Sequence, residues 1–142
     1  MRIKKSTYRS IERHAPVVGA VSAVVMVTAM FLGWFRSGSR MRNSFEMFRI
    51  PQQLGLDGFA TIRLVWFLVP VLAAGVVGFS VLRRPGWAGL LGIVQALVGA
   101  SVALVVLFSD LDTGFGPALT LATALSLLAA AFGMALTSGS PS

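Results

Sequence analysis

Cysteine is missing from this sequence, histidine occurs once, and only five of 142 residues are acidic. Without cysteine there are no disulfides, no thiolate metal sites and no thiol chemistry. With His14 as the single imidazole, a haem held between two histidines of one chain and a histidine-rich metal cage are both excluded. Charge is scarce as well: 12% of the residues are charged and 56% are hydrophobic, whereas a soluble domain of this size has roughly a quarter of its residues charged. The sequence has too little polar surface for a soluble domain and too few reactive side chains for most enzymes.

Four long apolar runs are present instead, over residues 15–35, 64–82, 87–108 and 117–136, with Gln95 as the one strongly polar side chain inside them. Each is about twenty residues long, which at the helical rise spans a hydrocarbon core of about 30 Å. A backbone in lipid must satisfy its own hydrogen bonds, so each run is expected to be a helix. The expected fold is all-α, a four-helix membrane bundle occupying 15–136. It is preceded by a basic segment, 1–14, followed by a short tail, 137–142, and carries a long loop over 36–63 between its first two spans.

Residues 1–14 hold Arg2, Lys4, Lys5, Arg9 and Arg13 against Glu12. A signal peptide would begin this way, but its apolar core runs about 7–15 residues and this one is longer, so a retained helix is expected, with Pro16 in its first turn. Basic residues flanking the spans orient the bundle. The N-terminal segment and the Arg83-Arg84-Pro85 turn carry seven, and the opposite side carries Arg36, Arg40, Arg42, Arg49 and Arg63. The expectation is a cell-membrane protein with both termini cytoplasmic.

The arginine-bearing loop is the distinctive feature. Met41, Phe45 and Phe48 follow at i, i+4 and i+7, with Arg40, Arg42, Glu46 and Arg49 interleaved. That spacing predicts a short amphipathic helix over 39–49, lying in the membrane interface with its aromatics down. Ser39 or Asn43 supplies its cap and Pro51 ends it. Guanidinium groups grip phosphate and carboxylate in forked pairs. Arg36, Arg40, Arg42, Phe45, Phe48 and Arg49 are therefore the candidate residues for binding anionic lipid head groups or an acidic patch on a partner protein. A net charge of +7 raises nucleic acid as a partner. The basic residues lie beside apolar spans, however, where head groups are nearer, and no nucleic-acid-binding pattern occurs.

Within the spans, Ala118, Ala122, Ser126 and Ala130 fall at strict i+4 intervals, and Gly92, Ala96 and Gly99 share a face beside Gln95. Such small residues let helices approach closely, either inside the bundle or against a partner. Gln95 is expected to hydrogen-bond a neighbouring helix. Asp110 and Asp112 stand in a Gly-rich turn without the roughly six oxygen ligands of a hard-cation site and are expected to be a solvated turn or cap. Trp34, Trp66 and Trp87 lie near span ends and are expected to anchor at the head-group level.

The run Gly33-Trp34-Phe35-Arg36-Ser37-Gly38-Ser39-Arg40, with Arg42-Asn43-Ser44-Phe45-Glu46 after it, resembles a segment of small four-span membrane proteins of actinobacteria. Some proteins of this kind are accessory subunits of larger envelope assemblies, including the mycobacterial Mce (mammalian-cell-entry) lipid importers. The resemblance covers the end of the first span and the start of the loop. It implies an adhesive, non-catalytic role and carries no functional residues with it.

Three function classes compete on these residues. An enzyme needs a nucleophile, an acid–base pair or a metal at a pocket, and the candidates here are sparse and unpaired, so catalysis and cofactors are not expected. A transporter normally has polar or broken helices near mid-membrane, for which Pro70 and Gln95 are the only signals. An accessory or scaffolding subunit of a larger membrane complex is the expected function, with a self-contained small lipid-binding or transport protein as the alternative.

Overall fold

The computed structural model describes residues 5–49 and 59–138. Helix α1 spans Lys5–Ala29 and is followed by two short antiparallel strands, β1 (Phe35–Ser37) and β2 (Arg40–Arg42), and one helical turn, α2 (Ser44–Met47). Three long helices complete the chain: α3 (Phe59–Val81), α4 (Pro85–Leu107) and α5 (Phe115–Ser138). The fold is all-α apart from the small hairpin. Among the described residues, four helices are long and apolar enough to cross a membrane, over Arg9–Ala29, Arg63–Val81, Pro85–Leu107 and Phe115–Thr137. Their outward faces carry Val21, Leu64, Val71, Leu97, Val105, Leu125 and Phe132, all exposed. In water this would be an unfavourable surface, and in lipid it is the expected one. The chain is built as a multi-pass membrane protein.

Helix α4 lies at the centre. Ala88, Gly89, Gly92, Gln95, Ala96, Gly99, Ala103 and Val106 are its buried residues, and their three- and four-residue spacing lines one side of the helix. A β-carbon added at Gly89 would lie 3.3 Å from the Ala131 carbonyl oxygen, and one at Gly92 3.2 Å from Leu127. At Gly99 it would lie 2.7 Å from the Met26 sulfur, so α1 and α5 both close onto this face. Helix α3 packs alongside, where a β-carbon on Gly75 would meet Leu91 at 2.5 Å. Across Pro70 the helix runs unbroken.

Several local expectations are corrected. The first span was expected to run to Phe35, but α1 ends at Ala29 and Phe35 opens β1. Because α1 begins at Lys5, Pro16 sits inside the helix and not in its first turn. The interfacial helix expected over 39–49 is confined to Ser44–Met47, and its first part is the strand Arg40–Arg42. The expectation that Pro51 ends that helix lies outside the described residues.

Candidate interaction surface at the hairpin end

The hairpin forms because Phe35-Arg36-Ser37 and Arg40-Met41-Arg42 flank a two-residue turn, Gly38-Ser39, in the register Ser37↔Arg40 and Phe35↔Arg42. Gly38 has φ 65°, the left-handed geometry that a primed hairpin turn requires at its first position. The other edge of β1 is also paired. The amide of Arg36 donates to the Asp112 carbonyl at 2.8 Å, and Gly114 and Gly116 donate back to the carbonyls of Trp34 and Gly33 at 3.0 and 2.9 Å. The α4–α5 connection thus acts as a third strand. Asp112 adds an ion pair to Arg36 at 3.4 Å, both side chains being mostly exposed.

This assembly is fastened to the end of α1. The last carbonyls of a helix lack α-helical donors; here Val27, Thr28 and Ala29 accept from the amides three residues on, and side chains add further bonds. The Trp34 indole donates to the Ala29 carbonyl at 2.8 Å. The Ser44 hydroxyl donates to the Met30 carbonyl at 2.7 Å and accepts from the Trp66 indole at 3.0 Å. Trp34 and Trp66 are fully buried and make an edge-to-face pair, 5.2 Å between ring centroids. Both were expected as head-group anchors; both are core residues, with their N–H groups satisfied as buried indoles require. Trp87 alone is exposed, 56%, stacked on Phe79.

The apolar stripe of the loop faces inward. Phe48 is buried against Trp66 at 6.1 Å, and Phe45 lies between Phe31 and Phe67 at 5.1 and 5.3 Å. The expected aromatic-down face is therefore protein core, and Met41 stands apart from it on β2. Asn43 caps α2, its side chain accepting from the Glu46 amide at 3.0 Å. The arginines divide into two groups. Arg36, Arg40 and Arg49 are exposed, while Arg42 and Arg63 are half-buried. Arg40 reaches Glu46 at 3.8 Å, and the Arg42 Nε is buried without a hydrogen-bond partner. The braced hairpin carries Arg36 and Arg40, and Arg49 follows α2 on the same connection.

The helix-packing candidates separate as well. Gly92 and Gly99 lie in the bundle, and Gln95 is fully buried, its amide nitrogen donating to the Ala23 carbonyl at 3.2 Å. The Gln95 Oε1 and the Thr120 hydroxyl have no partner. On α5, Ala130 is buried, and Ser126 accepts from the Ser22 hydroxyl at 2.9 Å. Ala118 and Ala122 are exposed. A row at i+4 turns by about 40° per step on a helix of 3.6 residues per turn, so the strip leaves the α1 contact as it runs toward Ala118.

At the opposite end, two cavities flank α1. One, about 490 Å3, is an open apolar groove between α1 and α5 with His14, Val18, Ala129 and Phe132 on its walls. The other, about 530 Å3, is lined by Glu12, Arg13, Pro16, Val17, Ser80, Arg83, Pro85 and Thr137. Nothing in the sequence reading singled out this second cavity. Its one local signal was an arginine, Arg83, in the place after a helix end where glycine is usual.

Compared with protein-family models, curated proteins and solved structures, the chain matches none.

Proposed function

We propose that this chain is a non-catalytic accessory or scaffolding subunit of a larger membrane complex, and that it recognises its partner through the hairpin end. One observation carries the reading. The connection between α1 and α3 needs no fixed shape to join two spans, yet its described part, residues 30–49, is paired on both edges of β1, capped at α2 and sealed by a buried tryptophan pair. Ordering of that kind costs conformational entropy and holds Arg36, Arg40 and Arg49 in a fixed spatial relation. Preorganised guanidinium groups suit forked binding of carboxylate or phosphate, supplied by an acidic patch of a neighbouring subunit or by anionic head groups. The four-span architecture and the resemblance of residues 33–46 make an envelope lipid-transport assembly, such as an Mce importer, the named candidate. The N-terminal end carries seven basic residues against Glu12, which supports reading the chain as a cell-membrane protein with both termini cytoplasmic.

The test is co-purification in mild detergent with quantitative mass spectrometry. Arg40→Gln with Arg49→Gln removes two exposed guanidinium groups without touching Asp112 or the buried Arg42 nitrogen. Partner recovery is expected to fall while membrane insertion is unchanged. Ala118→Leu with Ala122→Leu fills the exposed part of the α5 strip. If that variant loses the partner and the arginine variant keeps it, recognition occurs within the bilayer. A stoichiometrically pure monomer or homo-oligomer from unaltered membranes would overturn the subunit reading and favour a self-contained lipid-binding or transport protein. The cavity beside Arg13 and Arg83 is the feature that supports this second reading.

A further inference from the structure

Helix α3 ends in a Schellman motif. The Arg84 amide donates to the Phe79 carbonyl at 2.9 Å and the Arg83 amide to the Ser80 carbonyl at 3.2 Å. Such a motif places its C′ residue in the left-handed region, which favours glycine. Here the residue is Arg83, at φ 55°, the one non-glycine residue with positive φ among those described. An L side chain there is strained, and such outliers gather where the side chain itself has a task. The Arg83 side chain lines the cavity of about 530 Å3, and Arg13 approaches from α1. The Ser80 hydroxyl at the same wall is buried without a hydrogen-bond partner. Helix α4 opens at Pro85, on the cavity, with no side-chain cap, so the positive end of its dipole lies there.

The cavity also has acceptors. Glu12 lines it, and Pro16 lacks the amide that would otherwise bond the Glu12 carbonyl. No ion pair within 4.0 Å joins Glu12 to Arg13 or Arg83 among the described residues. Donors and acceptors therefore face one space without satisfying each other. The neighbouring arginine of the turn, Arg84, does not line the cavity. A single anion would leave Glu12 repelled, and a single cation would leave two guanidinium groups repelled.

We propose that this cavity binds the head group of an ethanolamine phospholipid, with the phosphodiester on Arg13, Arg83 and Ser80 and the primary ammonium on Glu12. The site lies at the end of the bundle opposite the hairpin, between the apolar spans and the aqueous phase, where a lipid presents these two groups with its chains along the helices. A quaternary ammonium has no N–H to donate, and a glycerol head group has no cation for Glu12, so choline and glycerol lipids bind less well.

Native mass spectrometry of the delipidated full chain, titrated with phosphatidylethanolamine, phosphatidylglycerol or phosphatidylcholine, tests the assignment. One ethanolamine lipid is expected to be retained in preference to the other two. Arg13→Gln with Arg83→Gln should lower its retention about tenfold, the loss expected when charge-assisted bonds to a phosphate are removed. Glu12→Gln should narrow the margin over phosphatidylglycerol. Arg83→Gly separates binding from folding. It relieves the left-handed strain, so the melting temperature should hold or rise while lipid retention falls. Equal retention of ethanolamine and glycerol lipids by the unaltered chain overturns the proposal, as does full retention by the double variant. Protection against melting by soluble glycerophosphoethanolamine equal to that by the lipid would make a soluble compound the occupant and overturn the lipid assignment.

Discussion

The indole of Trp66 donates to the hydroxyl of Ser44, and through that hydroxyl the second span is tied to the end of the first. Ser44 is fully buried, and its hydroxyl serves as acceptor for Trp66 and as donor to the Met30 carbonyl. Ser44→Ala leaves the Trp66 indole buried and unpaired, while the Met30 carbonyl keeps the Ser44 amide at 3.2 Å; the unpaired donor costs about 1–3 kcal/mol. Thermal unfolding in detergent, followed by near-ultraviolet circular dichroism of the tryptophans, should register that loss. Trp87→Phe, at an exposed indole, should leave the melting temperature close to that of the parent.

The approach of the α4–α5 connection to β1 depends on a missing side chain. A β-carbon on Gly114 would run into the Gly33 carbonyl oxygen and the Met41 methyl group. The first of these is backbone and cannot swing aside. Gly114→Ala is expected to destabilise by about 1–3 kcal/mol, as overpacking does, and to release the hairpin, seen as faster amide exchange at Arg36. Gly78 provides the control, since nothing lies within 4 Å of an added β-carbon there. Within α3, Gly78→Ala should stabilise by about 0.5–1 kcal/mol.

The four spans were legible because lipid leaves the backbone no alternative to helix, and twenty-residue apolar runs need no tertiary information. The hairpin end was not legible for the opposite reason. Residues 39–49 satisfy a helical spacing through Met41, Phe45 and Phe48, while Arg36, Gly38 and Met41 satisfy a hairpin through period two and a turn glycine. Short segments of this kind are decided by what they dock against, and the docking partner is Thr113 and its neighbours, over seventy residues later in the chain. Trp34 and Trp66 were misplaced by the same logic. Proximity to a span end suits an anchor, but a carbonyl of α1 and a serine hydroxyl gave each indole a buried partner. Arginine exposure followed the fold and not the sequence: the same loop turns Arg36 outward and half-buries Arg42.

Gln95 is half satisfied, with its Nε2 bonded to Ala23 and its Oε1 orphaned. Replacing it with leucine removes the donor and the unpaired acceptor together, and membrane hydrogen bonds average about 0.6 kcal/mol. Gln95→Leu is therefore expected to lie within about 1 kcal/mol of the parent, whereas Gln95→Ala opens a cavity against α1 and should cost more. Unfolding titrations in mixed micelles can rank the two variants. A greater loss for leucine than for alanine would mean that the branched side chain is overpacked against α1.

The Arg36–Asp112 pair should contribute little to stability. Its side chains are 57% and 69% exposed, and pairs of that kind contribute at most about 1 kcal/mol. A double-mutant cycle with Arg36→Gln and Asp112→Asn should give a coupling within that bound, falling as salt is added. The backbone bond from the Arg36 amide to the Asp112 carbonyl survives both changes, so the hairpin should stay paired. A larger, salt-insensitive coupling would show that lipid or protein covers the pair.

Orientation can be measured directly because the chain has no thiol of its own. Ser10 lies exposed on α1 near its basic start, and Ser39 lies exposed in the hairpin turn, so a cysteine at either position is reachable by a maleimide. The two sites sit at opposite ends of the first membrane-crossing helix, Arg9–Ala29, and should never label from the same side. Seven basic residues accompany the Ser10 end, including the Arg83-Arg84 turn, and a short loop of that composition is retained on the cytoplasmic side. In intact cells an impermeant maleimide is therefore expected to modify Ser39→Cys and to spare Ser10→Cys until the membrane is opened. Protection of Ser39→Cys with labelling of Ser10→Cys would invert the bundle and put the arginine platform in the cytoplasm. Labelling of both from one side would mean that the first helix does not cross the membrane.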